Sequence, residues 1–515
     1  MKKLIFSSVL ALLVASSCGT APKKVQQETA PRYEESWESL AKYNEQPDWF
    51  QDAKFGIYFH WGVYSVPAFG NEWYPRWMFF KGTKEYQHHL ETYGDPAEFD
   101  YSKFVPMFRA EHFDPDDWAD LFQKAGARFA GPVAEHHDGF SMWDSDITPW
   151  NAMDKGPHRD ITGELGKAIK ERGMKFITTF HHARNLQRYK GKEEQEIAKH
   201  KDNLGSAFWD SHYPLFKGLP PAKDDPELNY LYGNIPEDKW VEEVWFGKLK
   251  EVIDKYDPDI IWFDSWLDQI PEEYRIKFCA YYLNHAAKEN KEVVIVRKQN
   301  DLPLNVSVDD LEKSRKNRLE DKSWMTDETL STGSWCYTKN LKIKPAADVL
   351  HVLIDIVSKN GVLLLNISPK ADGTIPQDQR DVLLSIGQWL NNYGEAIYET
   401  RPWYTYGEGP TKEPEGHFSN HQKFLKIKYS AKDIRYTTKS NVIYAMALGW
   451  PGNNAQVMLE AFAKDQWKNA GEIENVTLLG YDGKIDYQLT DQGLLLNLPE
   501  KPVDEMAIAF KIQLK

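Results

Sequence analysis

The sequence predicts an α/β protein: a (β/α)8-like TIM barrel followed by a C-terminal antiparallel β-sandwich. Three observations predict it. From about Pro47 to Tyr398 short apolar runs alternate with helix-like segments, and such alternation makes a parallel sheet with crossover helices. Past Arg401-Pro402 short β-prone runs follow one another without helices between them, the pattern of an antiparallel sandwich. The chain has 515 residues, enough for a barrel of about 250 to 400 residues and one smaller domain.

The N-terminus reads as an address. Lys2 and Lys3 precede the apolar run Leu4 to Val14, too short to span a bilayer, and Ala15-Ser16-Ser17 lead into Cys18. That order is a secretory signal ending at a cleavage site, residues 1–18. A Cys at the junction resembles the bacterial lipoprotein signal, in which the Cys becomes the lipidated N-terminus. The expectation is export: a periplasmic or outer-membrane-anchored lipoprotein of a bacterium, touching the membrane only through that lipid. Residues 19–45 are polar and mixed in charge, as a tether would be.

Within 46–398 the expected barrel strands are Lys54 to His60, Arg128 to Ala134, Lys175 to Phe180, Ile260 to Asp264, Val293 to Arg297 and Val362 to Ile367. Helix-like segments such as Asp116 to Ala125, Ile161 to Arg172 and Trp240 to Tyr256 separate several of them. The stretch Gln187 to Asn234, rich in Lys, Pro and Asp, reads as an irregular insertion. Within 399–515 the expected strands are Asn441 to Trp450, Gln456 to Phe462, Asn475 to Tyr481, Leu494 to Pro499 and Met506 to Leu514. Pro451-Gly452-Asn453-Asn454 and Asp482-Gly483 supply turns between them.

Composition narrows the function. A formal net charge of -14 argues against nucleic acid as a partner, because a phosphate-binding face must be basic. Once Cys18 is set aside, Cys279 and Cys336 are too few for a disulfide framework or a thiolate metal cage. Aromatic residues make up 14% of the chain, with 19 Trp; flat rings stack on the C–H faces of sugars, which points toward carbohydrate.

The residues that carry chemistry stand at strand ends. Asp264 closes Asp259-Ile-Ile-Trp-Phe-Asp264, a buried strand ending in one carboxylate, and the C-terminal mouth of a parallel barrel is where such a fold puts its chemistry. Otherwise an Asp there caps a turn. His60 ends Phe55-Gly-Ile-Tyr-Phe-His60 in the same way. His136 and His137 follow the second run, and His181 and His182 the third. Glu72 and Trp73 lie in a Gly- and Pro-punctuated loop soon after the first strand.

Two chemistries can use such a set. Histidines and carboxylates at a barrel mouth bind zinc or a metal pair in some hydrolases, but Trp61 follows His60 and no second ligand stands two residues on, so no metal is expected. Sugar hydrolysis fits better: polar donors clamp hydroxyls, a Trp supports the ring, and two carboxyl groups perform a double displacement with no cofactor.

The motifs Phe55-Gly-Ile-Tyr-Phe-His-Trp-Gly62, Asn71-Glu-Trp-Tyr74, Ala134-Glu-His-His-Asp-Gly-Phe140 with Trp143-Asp144-Ser145, Trp262-Phe-Asp264 and Gly361-Val-Leu-Leu-Leu-Asn-Ile-Ser-Pro369 resemble, in order and spacing, the retaining α-L-fucosidases of glycoside hydrolase family 29. The resemblance runs from about Trp49 to Trp403 and implies release of terminal α-L-fucose from a fucosylated glycan with retained configuration. It implies that Asp264 is the nucleophile, that His60, Glu72, His136 and His137 contact the sugar hydroxyls, and that Trp73 borders the ring. Arg297 matches an arginine after the nucleophile strand, His181 stands where a tyrosine is usual, and Trp335 resembles an aromatic near the fucose methyl group. The acid/base falls in a variable loop, where Glu312 fits best, with Glu320 and then Glu328 behind it. A hydrolase of a related sugar such as an α-L-galactoside, and a non-catalytic fucose-binding protein, are the other readings.

Overall fold

The structure is a computed structural model, and it describes residues 32–186, 212–214, 217–467 and 472–515. The signal segment 1–18 and most of the insertion Gln187 to Asn234 lie outside the described residues. Tyr33–Lys515 forms one compact unit.

Eight parallel strands make the barrel: β1 Phe55–Phe59, β2 Phe129–Glu135, β3 Lys175–Phe180, β4 Ile260–Phe263, β5 Val294–Arg297, β6 Val308–Asp309, β7 Trp324–Thr329 and β8 Gly361–Ile367. Their order is β6-β5-β4-β3-β2-β1-β8-β7, and a single bridge between Asp310 and Met325 joins the two ends. All six expected strands are present to within a residue or so. β6 and β7 are additions. β6 is only two residues long, and β7 reads Trp-Met-Thr-Asp-Glu-Thr, polar at four of six positions yet buried throughout.

Side chains alternate between the two faces of each strand, and burial follows that alternation. Tyr58, Ile177, Ile260, Trp262, Val294, Val296, Met325, Val362 and Leu364 fill the barrel interior as one cluster. Their neighbours Ile57, Phe59, Ile261, Phe263, Ile295, Leu363 and Leu365 pack outward against the helices. The same alternation aims Asp327 of β7 and Asn366 of β8 inward, and, continued past the ends of β1, β3, β4 and β5, does the same for His60, His181, Asp264 and Lys298. At β2 and β3 the strands approach so closely that a Cβ on Gly131 would lie 1.7 Å from the Ile177 carbonyl oxygen, which excludes any side chain there.

Beyond the barrel, β9 Gly407–Glu408, β10 Ile434–Lys439, β11 Val442–Ala447, β13 Ile473–Leu478 and β16 Ile508–Leu514 form one antiparallel sheet, in the order β13-β16-β11-β10-β9. β12 Gln456–Leu459, β14 Tyr487–Thr490 and β15 Gly493–Asn497 form a second. Tyr436, Ile443 and Phe510 of the first share a core with Leu459, Leu494 and Leu496 of the second, so the two sheets make the sandwich. β9, β10 and β14 were not among the expected strands.

The tether expected over 19–45 ends sooner. Trp37–Leu40 is helical, the Tyr33 backbone N–H donates to Asn284 at 2.9 Å, and the Tyr43 hydroxyl donates to the Val293 carbonyl at 2.7 Å. Buried Tyr33 and Leu40 anchor this segment to the barrel, which a reading from polar composition does not reveal.

Candidate active site

The strand ends open into a cavity of about 640 Å³ lined by His60, Glu72, Trp73, His136, His137, His181, Asp264, Lys298, Glu312, Asp327 and Trp335, among others. Asp264 is the carboxylate on which its lining groups converge. Its backbone N–H donates to the Phe180 carbonyl, which fixes the turn out of β4. Oδ1 lies 3.0 Å from Lys298 Nζ; Oδ2 lies 3.1 Å from His137 Nε2 and 3.2 Å from His181 Nδ1. Burial by itself would raise the Asp264 pKa, but Lys298, His181 and His137 outweigh it and hold the carboxyl well below the usual aspartate range.

Lys298 organises the acids around it. The same ammonium stands 3.0 Å from Glu312 Oε2 and 3.2 Å from Asp327 Oδ2, and 4.8 Å above the Trp262 ring. One nitrogen therefore touches both Asp264 and Glu312, so their nearest oxygens are separated by no more than twice 3.0 Å. A retaining glycosidase keeps its carboxyl groups about 5 to 5.5 Å apart, an inverting one about 6.5 to 9.5 Å. Burial raises the Glu312 pKa; Lys298 opposes that shift, and the carboxylates of Asp327 and Asp264 add to it. Beneath them Asp310 is raised well above its ordinary value by burial and by Asp327, while Tyr58 donates to Asp327 Oδ2 at 3.1 Å.

The other acids considered do not reach the cavity. Glu328 follows Asp327 in β7 and so points outward, paired with Lys344 at 2.9 Å; Glu320 pairs with Arg318 at 2.9 Å. Arg297 is likewise displaced. With Val294 and Val296 inside the barrel, Arg297 faces out, donating to the Leu302 carbonyl and reaching Asp309 at 3.5 Å. Its neighbour Lys298 is the cation that reaches Asp264, a residue the sequence reading missed although the period of β5 marks it. Asp327 was missed because its strand β7 was not expected, and Asn366 was not singled out within β8.

Neutral imidazoles line the sugar-sized space. Asn366 Oδ1 accepts from the His60 backbone N–H at 2.9 Å and lies 2.8 Å from His60 Nδ1, which fixes that tautomer and leaves Nε2 free to accept. Burial, then neighbouring rings, pushes His60 and His136 well below the usual histidine pKa, and burial pushes His137 down to about 4. Both His137 nitrogens face acceptors, Nδ1 at 2.7 Å from the His181 carbonyl and Nε2 at Asp264; a neutral ring donates to one at a time. Trp335 stacks on His60, centroids 5.2 Å apart and planes 27° apart. Its backbone N–H donates to Glu72 Oε2 at 3.1 Å, tying the Glu72 loop to the wall opposite. Trp73 stands 5.2 Å from the His137 ring.

Among the described residues two groups have donor atoms close enough to hold a metal, His60 with His136 and His181, and His137 with His181 and Asp264. The positive charge that an ion would supply at Asp264 is already supplied by Lys298.

A parallel barrel whose mouth presents two carboxyl groups this close, under neutral hydrogen-bonding rings and a tryptophan wall, has the constitution of a glycoside hydrolase working by double displacement. Comparison with known proteins gives the particular family. A family model described as alpha-L-fucosidase matches residues 20–395, and one described as alpha-L-fucosidase C-terminal domain matches residues 428–515. The chain belongs to the alpha-L-fucosidase family. It is similar to the tissue alpha-L-fucosidase of Mus musculus, 30% identical with 94% of each chain covered, and to that of Homo sapiens, 28% identical with 98% of this chain and 96% of the relative covered. Among solved structures it is similar to the Thermotoga maritima alpha-fucosidase in complex with fucose, with a TM-score of 0.71, 28% identity and 93% and 100% of the two chains covered.

Proposed function

We propose that the protein is a retaining exo-α-L-fucosidase acting on terminal α-L-fucosyl residues of glycans, with Asp264 as nucleophile and Glu312 as acid/base. The observation that carries the assignment is the shared contact of Lys298 with both carboxyl groups. Ionised Asp264 attacks C1 of the fucose as the bond from C1 to the glycosidic oxygen breaks. Glu312, whose raised pKa keeps its proton available, gives that proton to the departing oxygen. The sugar is then held as an ester of Asp264. In the second step Glu312, now a carboxylate, takes a proton from water; the water oxygen bonds to C1 and the ester bond returns its electrons to Asp264. Two inversions leave the configuration unchanged.

Around this centre His60, His136, His137, His181 and Glu72 offer acceptors and donors to the ring hydroxyls, and Trp335 offers an apolar face to the C5 methyl. An α-L-galactoside puts a hydroxyl where that methyl lies. Incubation with 4-nitrophenyl α-L-fucoside and α-L-galactoside, beside α1,2-, α1,3-, α1,4- and α1,6-fucosylated oligosaccharides, tests the reading. Release of fucose with discrimination against the galactoside is expected; absence of turnover on every fucoside would refute it in favour of a binding protein.

We propose further that residues 1–18 direct export and that Cys18 carries a lipid, placing the enzyme outside the cytoplasm of a bacterium. Among the described residues no helix is long and apolar enough to cross a membrane. Cys18→Ser should move the protein from the membrane fraction to the soluble one; an unchanged distribution would overturn the anchor.

A further inference from the structure

We propose that Phe418 and His421, which lie beyond the barrel in sequence, form the platform on which the first hexopyranose of the aglycone stacks during fucose release. The proposal rests on the fucosidase reading above and adds the site for the sugar that leaves.

Phe418 is 51% exposed. Among the exposed large apolar side chains of the described residues it alone lines the catalytic cavity. An exposed aromatic ring lining a sugar-binding cavity offers a face on which a second sugar can stack. The Phe418 ring is already stacked on His421, centroids 5.2 Å apart and planes 15° apart, so the inner faces partly cover each other and an outer face is left for a partner.

That surface is held in place. The His421 imidazole Nδ1 lies 3.2 Å from the Phe418 carbonyl, and its Nε2 lies 2.7 Å from Gln422 Nε2. Asn420 donates to the Glu415 carbonyl at 2.9 Å. Gly416 packs against the Arg315 backbone so closely that a Cβ there would come within 2.4 Å of the Arg315 carbonyl oxygen, and the Arg315 guanidinium lies 4.7 Å over the Phe424 ring. The segment that carries the platform is thus clamped to the loop that carries Glu312.

Chemistry places the leaving sugar on that side. Fucose C1 must meet Asp264, and the glycosidic oxygen must meet Glu312. The ring bonded to that oxygen therefore extends past Glu312 toward the rim, where Phe418 and His421 stand. A hexopyranose offers a patch of C–H groups to such a ring pair, and its hydroxyls remain in water.

The test compares Phe418→Ala, Phe418→Tyr and wild type on a fucosylated oligosaccharide and on α-L-fucosyl fluoride, whose leaving group has nothing to stack. Phe418→Ala should lower kcat/KM on the oligosaccharide about five- to tenfold and leave the fluoride within about twofold, and Phe418→Tyr should restore the oligosaccharide rate. Equal change on both substrates, or no change on either, would overturn the platform. Should Phe418→Ala fail to fold, as judged by circular dichroism, His421→Ala is read by the same ratio. Failure of the wild type to turn over both substrates would instead refute the fucosidase reading.

Discussion

Lys298 Nζ stands 3.0 Å from Asp264 Oδ1 and reaches Glu312 Oε2 at the same distance. One buried cation thereby sets the ionisation of both reacting groups, holding Asp264 charged and restraining the upward shift of Glu312. Lys298→Met should raise both pKa values, because each carboxylate loses the charge that favours its ionised form. The acid limb of kcat/KM reports protonation of Asp264 and the basic limb reports ionisation of Glu312, so both limbs move to higher pH. A drop of about a hundredfold at the optimum accompanies the shift. A pH–rate profile checks this, and an unmoved acid limb would show that Lys298 does not control Asp264.

Removal of Glu312 separates substrates by leaving group. Glu312→Ala should cost about 10² to 10⁴ in kcat/KM on fucosylated oligosaccharides, whose departing oxygen needs a proton. Activated aryl fucosides should lose far less, and added azide should rescue their turnover as a fucosyl azide. Glu320→Gln, altering a carboxylate paired with Arg318 away from the cavity, should leave both within about twofold. Equal losses on both kinds of leaving group would remove Glu312 from the role.

Chelation should leave the enzyme unaffected. Asp264 already has its counter-charge in Lys298, and the proposed proton transfers run between Glu312, sugar oxygen and water. Dialysis against EDTA is expected to keep kcat/KM within about twofold of the untreated enzyme, and recovery only upon adding a divalent ion would contradict the assignment.

Stability should hinge on a buried charge network between barrel and sandwich. Asp355, fully buried in the helix Ala346–Ser358, meets Arg435 of β10 at 2.6 Å, Lys359 at 2.7 Å and Arg315 at 3.2 Å. Asp355→Ala removes an acid shared by three buried cations, leaving Lys359 and Arg435 with Glu413 alone, and should cost about 3–5 kcal/mol in denaturant unfolding. The sign with pH follows. Burial opposes ionisation, but Lys359, Arg435 and Arg315 hold the folded pKa below the unfolded value. The contribution is thus present above the ordinary aspartate pKa and lost as pH falls through the folded one.

Much of this was legible in the sequence because apolar strands with a polar residue at the end are a local signal. Asp264, His60, His136, His137 and His181 follow such runs and converge in the cavity, and Glu72 and Trp73 arrive with their loop. The misses have physical causes. Arg297 was assigned from the resemblance to an arginine after the nucleophile strand, and Lys298 was not considered, although the alternation of Val294 and Val296 into the barrel aims Lys298 inward. β7 carries two acids in a buried strand, so no hydropathy pattern marks it, although its Asp327 faces the cavity and its Glu328 does not. Phe418 and His421 belong to a segment beyond the barrel, and nothing local in sequence says that it folds back over the Glu312 loop.

Mass spectrometry of the enzyme inactivated by a 2-fluorofucosyl fluoride tests the central claim most directly, because the fluorine slows hydrolysis of the ester more than it slows its formation. After proteolysis the added mass should lie on the peptide containing Trp262-Phe263-Asp264, on the aspartate itself. Label on any other carboxylate, or continued hydrolysis of fucosides with no label formed, would contradict the account.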